Sequence, residues 1–290
     1  MEAAPRKPSR TAILTAVARS LQREEPAPWV LDDPLAAPLA GEDAAAIAAQ
    51  LREKLPETAR RNFIRWVCVR SRATEDEVER AVADGVRQYV ILGAGLDSFA
   101  YRRPDLVDRL RIFEVDHPAS QAWKRARLAE LGVSLPANLV FAPVDFERQA
   151  LGSGLLEAGV DLAAPAVFSW LGVSMYLTME AIESTLGALT AAAPGSRVAM
   201  TYNLPLRALS GAGHQAESAL GPMASGMGEP MISFFEPAEM EALLRRLGFV
   251  DIRHFGPAEA VATYYAGRDD VSFGGAQRLI FARTAARRTA

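Results

Sequence analysis

One cysteine and three histidines stand in 290 residues, and each scarcity removes a class of chemistry. A single thiol cannot close an intrachain disulfide, so the fold depends on its apolar core. Cys68 lies within Phe63-Ile64-Arg65-Trp66-Val67-Cys68-Val69, where a small hydrophobe packed on the core is the expected role. Long apolar runs are lacking too. The Ala-rich stretch from Leu186 to Ala193 closes at Pro194-Gly195, well short of the roughly 20 residues that span a bilayer. Met1 to Arg10 is rich in Pro and basic residues and has no apolar centre of the kind a signal peptide carries, so a cytoplasmic protein is expected. There is no block of one charge sign: 32 basic and 35 acidic residues are spread along the chain for a formal charge of -3. Neither a nucleic-acid groove nor a membrane-binding face is indicated.

What is present is apolar sequence, 50% of the chain, enough to bury a sizeable core. Ile13, Leu14, Val17 and Leu21 recur at helical spacing behind Ser9-Arg10-Thr11, which predicts a helix over 9–23, and the Pro-rich segment from Pro26 to Pro38 predicts an irregular loop. Further helices are expected over 43–55 and within 56–84, the latter stopping at Gly85. Residues 1–84 thus read as a helical extension in front of a domain covering 85–290. From Gly85 onward, short β-prone runs at 89–92, 111–115, 139–144, 166–170 and 197–202 alternate with helical stretches at 118–131, 149–157 and 179–193. That alternation is the pattern of βαβ units in a doubly wound α/β fold, a mostly parallel sheet covered on both faces. Between about 203 and 232, Gly, Ala, Ser and Met dominate without a clear period. This reads as an insertion after the fifth strand, either a lid over a site or a tolerated surface loop. A helix at 237–247 followed by two strands, at 249–255 and 278–283, ends the chain.

The sharpest local signal is Tyr89-Val90-Ile91-Leu92-Gly93-Ala94-Gly95-Leu96-Asp97-Ser98. An apolar strand runs into a glycine turn, where missing side chains let a ligand approach the backbone. A dinucleotide fingerprint would place a third glycine where Ser98 stands. Alone, such a turn serves a nucleotide or no ligand at all. Ile112-Phe113-Glu114-Val115-Asp116 then ends a second strand in a carboxylate roughly 20 residues past the glycines, where an acid accepts both ribose hydroxyls; the alternative for Asp116 is capping the helix that begins near Pro118. A third strand, Phe141-Ala142-Pro143-Val144-Asp145-Phe146, ends in an acid placed to receive an adenine amino group or to cap another helix.

These ordered elements resemble the class I S-adenosylmethionine-dependent methyltransferases, and the detail resembles the leucine carboxyl methyltransferase-like family. The resemblance also takes in Arg10-Thr11-Ala12, Asp32-Asp33-Pro34-Leu35-Ala36, Arg70-Ser71-Arg72, Glu114-Val115-Asp116-His117-Pro118 and Leu171-Gly172-Val173-Ser174-Met175-Tyr176-Leu177. It implies a Rossmann-like, seven-stranded sheet with S-adenosylmethionine as cofactor. Gly93, Ala94, Gly95 and Asp97 then line the cofactor, Asp116 and His117 lie at its ribose, and Asp145 and Phe146 hold the adenine. Arg70 pairs with the methionyl carboxylate, for which a guanidinium fork is geometrically suited. Ser169 and Trp170 are neighbouring contacts, Trp170 being otherwise a packing residue. Members of the family often carry Glu where this chain has Leu171, so that contact is lost or replaced.

The same resemblance implies O-methylation of a carboxylate or hydroxyl on a small molecule such as a secondary metabolite. A carboxylate acceptor needs no base near neutral pH, whereas a hydroxyl benefits from one. His214, in the insertion, is the candidate base, and Tyr176, Tyr202 and Asn203 are candidate acceptor contacts. Met223, Met227, Met231, Phe234 and Phe235 form either an adaptable apolar lid or ordinary packing. No metal site is expected, and the chain is expected to be a monomer or homodimer. A nicotinamide-dependent dehydrogenase and a catalytically silent cofactor-binding protein are the competing readings.

Overall fold

The computed structural model describes residues 9–25, 27–144, 149–226, 228–271 and 273–286. Four helices precede the sheet: α1 (Arg10–Leu21), α2 (Ala36–Ala40), α3 (Asp43–Lys54) and α4 (Glu57–Ala83). The alternating part follows as β1 (Gln88–Leu92), the single-turn α5 (Phe99–Arg102), β2 (Arg111–Asp116), α6 (Pro118–Glu130), β3 (Leu139–Pro143), α7 (Leu151–Glu157), β4 (Val167–Trp170), α8 (Met179–Leu189) and β5 (Arg197–Asn203). The chain closes with α9 (Gly211–Gly226), α10 (Pro237–Arg246), β6 (Phe249–Phe255), α11 (Pro257–Tyr264) and β7 (Gln277–Thr284).

The seven strands lie in the order β3-β2-β1-β4-β5-β7-β6. Pairing is parallel from β3 through β5, and β7 runs antiparallel to both β5 and β6. The chain leaves β1 toward β2 on one side and returns to β4 on the other. Their carboxyl ends therefore part at a topological switch point, the place where such sheets hold ligands. Side chains alternate between the faces. Val90 and Leu92 of β1 join a core with Ile182 and Leu186 of α8 and Leu243 and Leu244 of α10. Tyr89 and Ile91 point the other way, into a core with Val78 and Val82 of α4 and with Phe99. A further core gathers Ile13 and Val17 of α1, Leu51 of α3, Ile64 and Val67 of α4 and Met223 of α9. It closes around Leu96, so the N-terminal helices pack against the glycine turn itself.

Local chemistry explains the helix starts. The Ser9 hydroxyl accepts from Ala12 N at 3.2 Å to open α1, and His117 Nδ1 accepts from Ala119 N at 3.1 Å ahead of Pro118 in α6. Both satisfy amides that a first turn leaves without partners.

Three expectations need correction. The Pro-rich segment already turns helical at Ala36. The insertion is not irregular, for α9 occupies 211–226; its Gly and Ala content and the interior Pro222 dilute the period, and helicity there follows from packing Met223 into the core. The last two strands are also joined through a helix not expected from the sequence, α11. Its signal was present in Gly256-Pro257 and Glu259, whose carboxylate accepts from Gly256 N at 2.9 Å. Among the described residues no helix is long and apolar enough to cross a membrane.

Candidate active site

The carboxyl ends of β1, β2 and β4 open into a cavity of about 390 Å³ walled by α1, α4 and α9, within the size range of small-ligand sites. At its floor the turn after β1 is shaped for close approach. Gly93 has φ +67°, and a Cβ there would lie 2.6 Å from Val173 Cγ2. Its amide and that of Ala94 donate to Val115 O at 2.8 and 3.1 Å, tying the turn to β2. Gly95 has φ +47°, with the Ala12 methyl of α1 against it. Asp97 Oδ1 accepts from Phe99 N at 2.8 Å and shapes the exit from the turn.

Asp116 ends β2 beside that turn. Its Oδ2 accepts from Gly95 N at 2.5 Å and its Oδ1 from His117 N at 2.7 Å. Burial pushes the Asp116 carboxyl above the ordinary carboxylate range, while the two amides work in the opposite direction. The Ser120 hydroxyl also favours the ionised carboxylate, and the acceptor capacity that remains can serve a vicinal diol. His117 also lines the cavity, but its ring is engaged as the cap of α6.

Arg70, from α4, is the cavity's unusual charge. It is 6% exposed, its Nε has no partner, and its Nη1 donates at 2.6 Å to Gln277 Oε1, a neutral acceptor. No carboxylate forms an ion pair with it among the described residues. Leu171, which also lines the cavity, supplies none. Burial, reinforced by Arg19 nearby, lowers the Arg70 guanidinium to about 10, leaving it cationic at neutral pH. A buried cation facing a cavity without a counter-ion is a receptor for an anionic group.

The third-glycine position is settled by the N-terminal extension. Ser98 donates to Asp33 Oδ2 at 2.6 Å, and Asp33 also pairs with Arg19, whose Nη2 donates to Leu96 O at 2.6 Å. The helix after the turn, α5, is one turn long. A dinucleotide site needs instead a glycine that lets a longer helix aim its N-terminus at a pyrophosphate.

The structure thus brings Arg70, Gly93, Ala94, Gly95, Asp97 and Asp116 to one cavity, together with His117, Tyr176 and Asn203. It does not bring Trp170, Tyr202 or His214 there. Trp170 follows Ser169 in β4; Ser169 faces the cavity, so Trp170 turns into the opposite core. Tyr202 precedes Asn203 in the same way, lies in that core and bonds His254 Nδ1 at 3.2 Å. His214 is on the exposed side of α9, 3.5 Å from the Ser218 hydroxyl. Asp145, Phe146 and Met227 lie outside the described residues. Of the remaining apolar set, Met231 lines the cavity, Met223 and Phe235 are buried in cores, and Phe234 is exposed. Sequence reasoning missed Glu217 and Glu229, which line the cavity from α9 and the segment after it. Spacing of Glu217, Leu220 and Ala224 at i, i+3 and i+7 was the available signal.

Comparison with known proteins agrees with this geometry. A family model for leucine carboxyl methyltransferase matches residues 12–190. YktD of Bacillus subtilis, which bears the provisional name S-adenosyl-L-methionine-dependent methyltransferase, is 30% identical over 285 residues, covering 90% of this chain and 93% of that one. A Frankia alni protein of the same provisional description is 35% identical over 199 residues, 66% of this chain and 67% of its own length. Among solved structures, a DUF574 family protein from Streptomyces avermitilis has a TM-score of 0.57 at 17% identity, covering 96% of this chain and 98% of that one, a likeness of fold. With its switch-point cavity, glycine turn and strand-end acid, the chain belongs to the leucine carboxyl methyltransferase family, within the S-adenosylmethionine-dependent methyltransferases.

Proposed function

We propose that the chain methylates an oxygen of a small molecule, a carboxylate or a hydroxyl of a compound such as a secondary metabolite, within the cavity above the glycine turn. The observation that carries this reading is Arg70, a buried cation with an unpartnered Nε in a cavity that also holds Asp116. S-adenosylmethionine matches that donor set: its amino-acid carboxylate suits the guanidinium fork, and its ribose diol suits the strand-end acid. Bound there, it supplies a methyl group on a cationic sulfur for in-line displacement.

The chain's own residues do the rest. Arg70 holds the carboxylate, Asp116 the ribose, and Gly93 and Gly95 let the ligand approach the backbone. Asp145 and Phe146 take the adenine in this reading. Tyr176 and Asn203 face the acceptor, and Phe63, Trp66, Leu220 and Met231 give the cavity an apolar lining that excludes water. Cys68 has no part in the chemistry, since burial pushes its thiol up to about 12. A cytoplasmic location belongs to the same proposal.

Calorimetric titration with S-adenosylmethionine, S-adenosylhomocysteine and NAD, beside an Asp116→Ala variant, tests the reading. Binding of the two sulfur compounds, weakened in the variant, is expected; binding of NAD alone overturns it.

A further inference from the structure

Two further carboxylates, Glu217 and Glu229, line this cavity. Glu229 is held in place, its Oε2 accepting from the Ser9 hydroxyl at 2.9 Å and from the Thr11 hydroxyl. Glu217 lies on the face of α9 that carries Leu220 and Ala224, and among the described residues it has no hydrogen bond and no ion pair. Tyr176, the expected acceptor contact, is close enough for its phenol to feel Glu229, Arg70 and Glu217.

The charges around the cavity can be assigned. The basic side chains lining it are Arg19, Arg70 and His117, the last engaged as the cap of α6. Arg19 is committed to Asp33 at 2.8 Å, and Arg70 to the cofactor's carboxylate. Asp97 and Asp116 belong to the cofactor turn. The cofactor's ammonium can be met by Glu229, which Ser9 and Thr11 hold in place; the wall left for the acceptor then carries Glu217 and no free side-chain cation among the described residues. A carboxylate acceptor entering beside Glu217 would meet like charge in a poorly solvated space, or force a proton onto one of the two groups; either outcome costs affinity. A neutral hydroxyl gains instead, because it can donate a hydrogen bond to an ionised acceptor that has no other partner. The flanking Phe63, Trp66, Leu220 and Met231 suit an aromatic or otherwise apolar body.

We infer that the acceptor is a neutral hydroxyl compound, an alcohol or phenol on an apolar frame, and that Glu217 is the specificity-determining residue that receives its hydrogen bond and turns carboxylates away. This rests on the methyltransferase reading of the cavity. Burial alone raises the proton affinity of Glu217, consistent with a carboxylate that lacks a compensating cation.

The test uses the full chain saturated with S-adenosylhomocysteine and three probes of one shape, 2-naphthol, 2-naphthoate and 2-naphthylmethylamine, titrated against wild type and Glu217→Gln. The naphthol is expected to bind at least about tenfold more tightly than the naphthoate. In Glu217→Gln the naphthol should weaken about tenfold and the naphthoate strengthen, the loss of one charged hydrogen bond. Unchanged affinity for S-adenosylhomocysteine shows that the variant is folded. Naphthoate binding as tightly as naphthol, the amine binding more tightly than both, no binding by any probe, or a naphthol-to-naphthoate ratio that the variant leaves unchanged each overturns the inference. Wild type that fails to bind S-adenosylhomocysteine fails at the underlying reading instead.

Discussion

Asp33 and Ser98, 65 positions apart, are joined by a 2.6 Å hydrogen bond between buried side chains. It ties the N-terminal extension to the turn that carries the glycines, and it accounts for a serine where a dinucleotide fold has glycine. Arg19 completes the contact from α1. Asp33→Ala leaves that guanidinium buried with a backbone carbonyl as its remaining partner, and a loss of about 3–5 kcal/mol is expected. Ser98→Ala removes two hydrogen bonds, the one it donates to Asp33 and the one it accepts from Arg102 Nε at 2.9 Å. Both charged partners keep their other ion pairs, so it should cost about 1–3 kcal/mol. Urea denaturation of both variants checks the order; equal and small losses would show that the network contributes little.

Arg70 gives an opposite pattern. Its charge is buried without a counter-ion among the described residues, so Arg70→Met is expected to leave the free protein as stable as wild type or more so. The same change should weaken S-adenosylhomocysteine binding about 10- to 100-fold, the loss of a charge-assisted pair. Thermal unfolding without ligand and calorimetry with it separate the two effects. A variant that binds normally would remove Arg70 from the cofactor site.

Gly93 has two reasons to lack a side chain, its φ of +67° and Val173 at 2.6 Å from the missing Cβ. Gly93→Ala should cost about 1–3 kcal/mol from backbone conformation, with the clash in addition. Val173→Ala in the same chain is expected to recover the clash and not the backbone part. Comparing unfolding free energies of the single and double variants resolves the two; full recovery would show that the φ constraint is negligible.

Glu114 is buried against Lys124 at 2.6 Å, and burial raises its carboxyl to about 7 while Lys124 pulls the other way. The folded protein then binds this proton more tightly than the unfolded chain. Its stabilising contribution is present below the ordinary carboxylate range and is lost as pH rises toward about 7. Asp33 has the reverse sign: burial opposes its ionisation, yet Arg19 and Arg102 hold it below the usual range, so its contribution is lost only as pH falls through that lowered value. Glu114→Gln is expected to flatten the decline in stability between about pH 5 and about pH 8. A slope identical to wild type would exclude Glu114 as its source.

The strand and turn carrying Gly93, Gly95 and Asp116 were legible because their signals are local: an apolar run, residues that permit a turn, and an acid at a fixed interval. The α9 helix was not. Its composition is a poor helix signal, and its register, which exposes His214 and brings Glu217 inward, comes from packing Met223 among α1, α3 and α4. Asp33 and Ser98 were likewise visible as parts of motifs, while their pairing with each other and with Arg19 and Arg102 was not.

The pair Ser169 and Trp170, like Tyr202 and Asn203, marks the boundary most clearly. Sequence by itself determined that neighbours along a strand face opposite ways, and that the strands alternate with helices in a doubly wound order. Which neighbour faces the cavity was decided only in three dimensions. Both faces of this sheet are covered, so both members of each pair are buried and hydropathy does not distinguish them. The choice was made by the helices on each side, which filled one face with core around Trp170 and Tyr202 and left the other open at the switch point above Ser169 and Asn203.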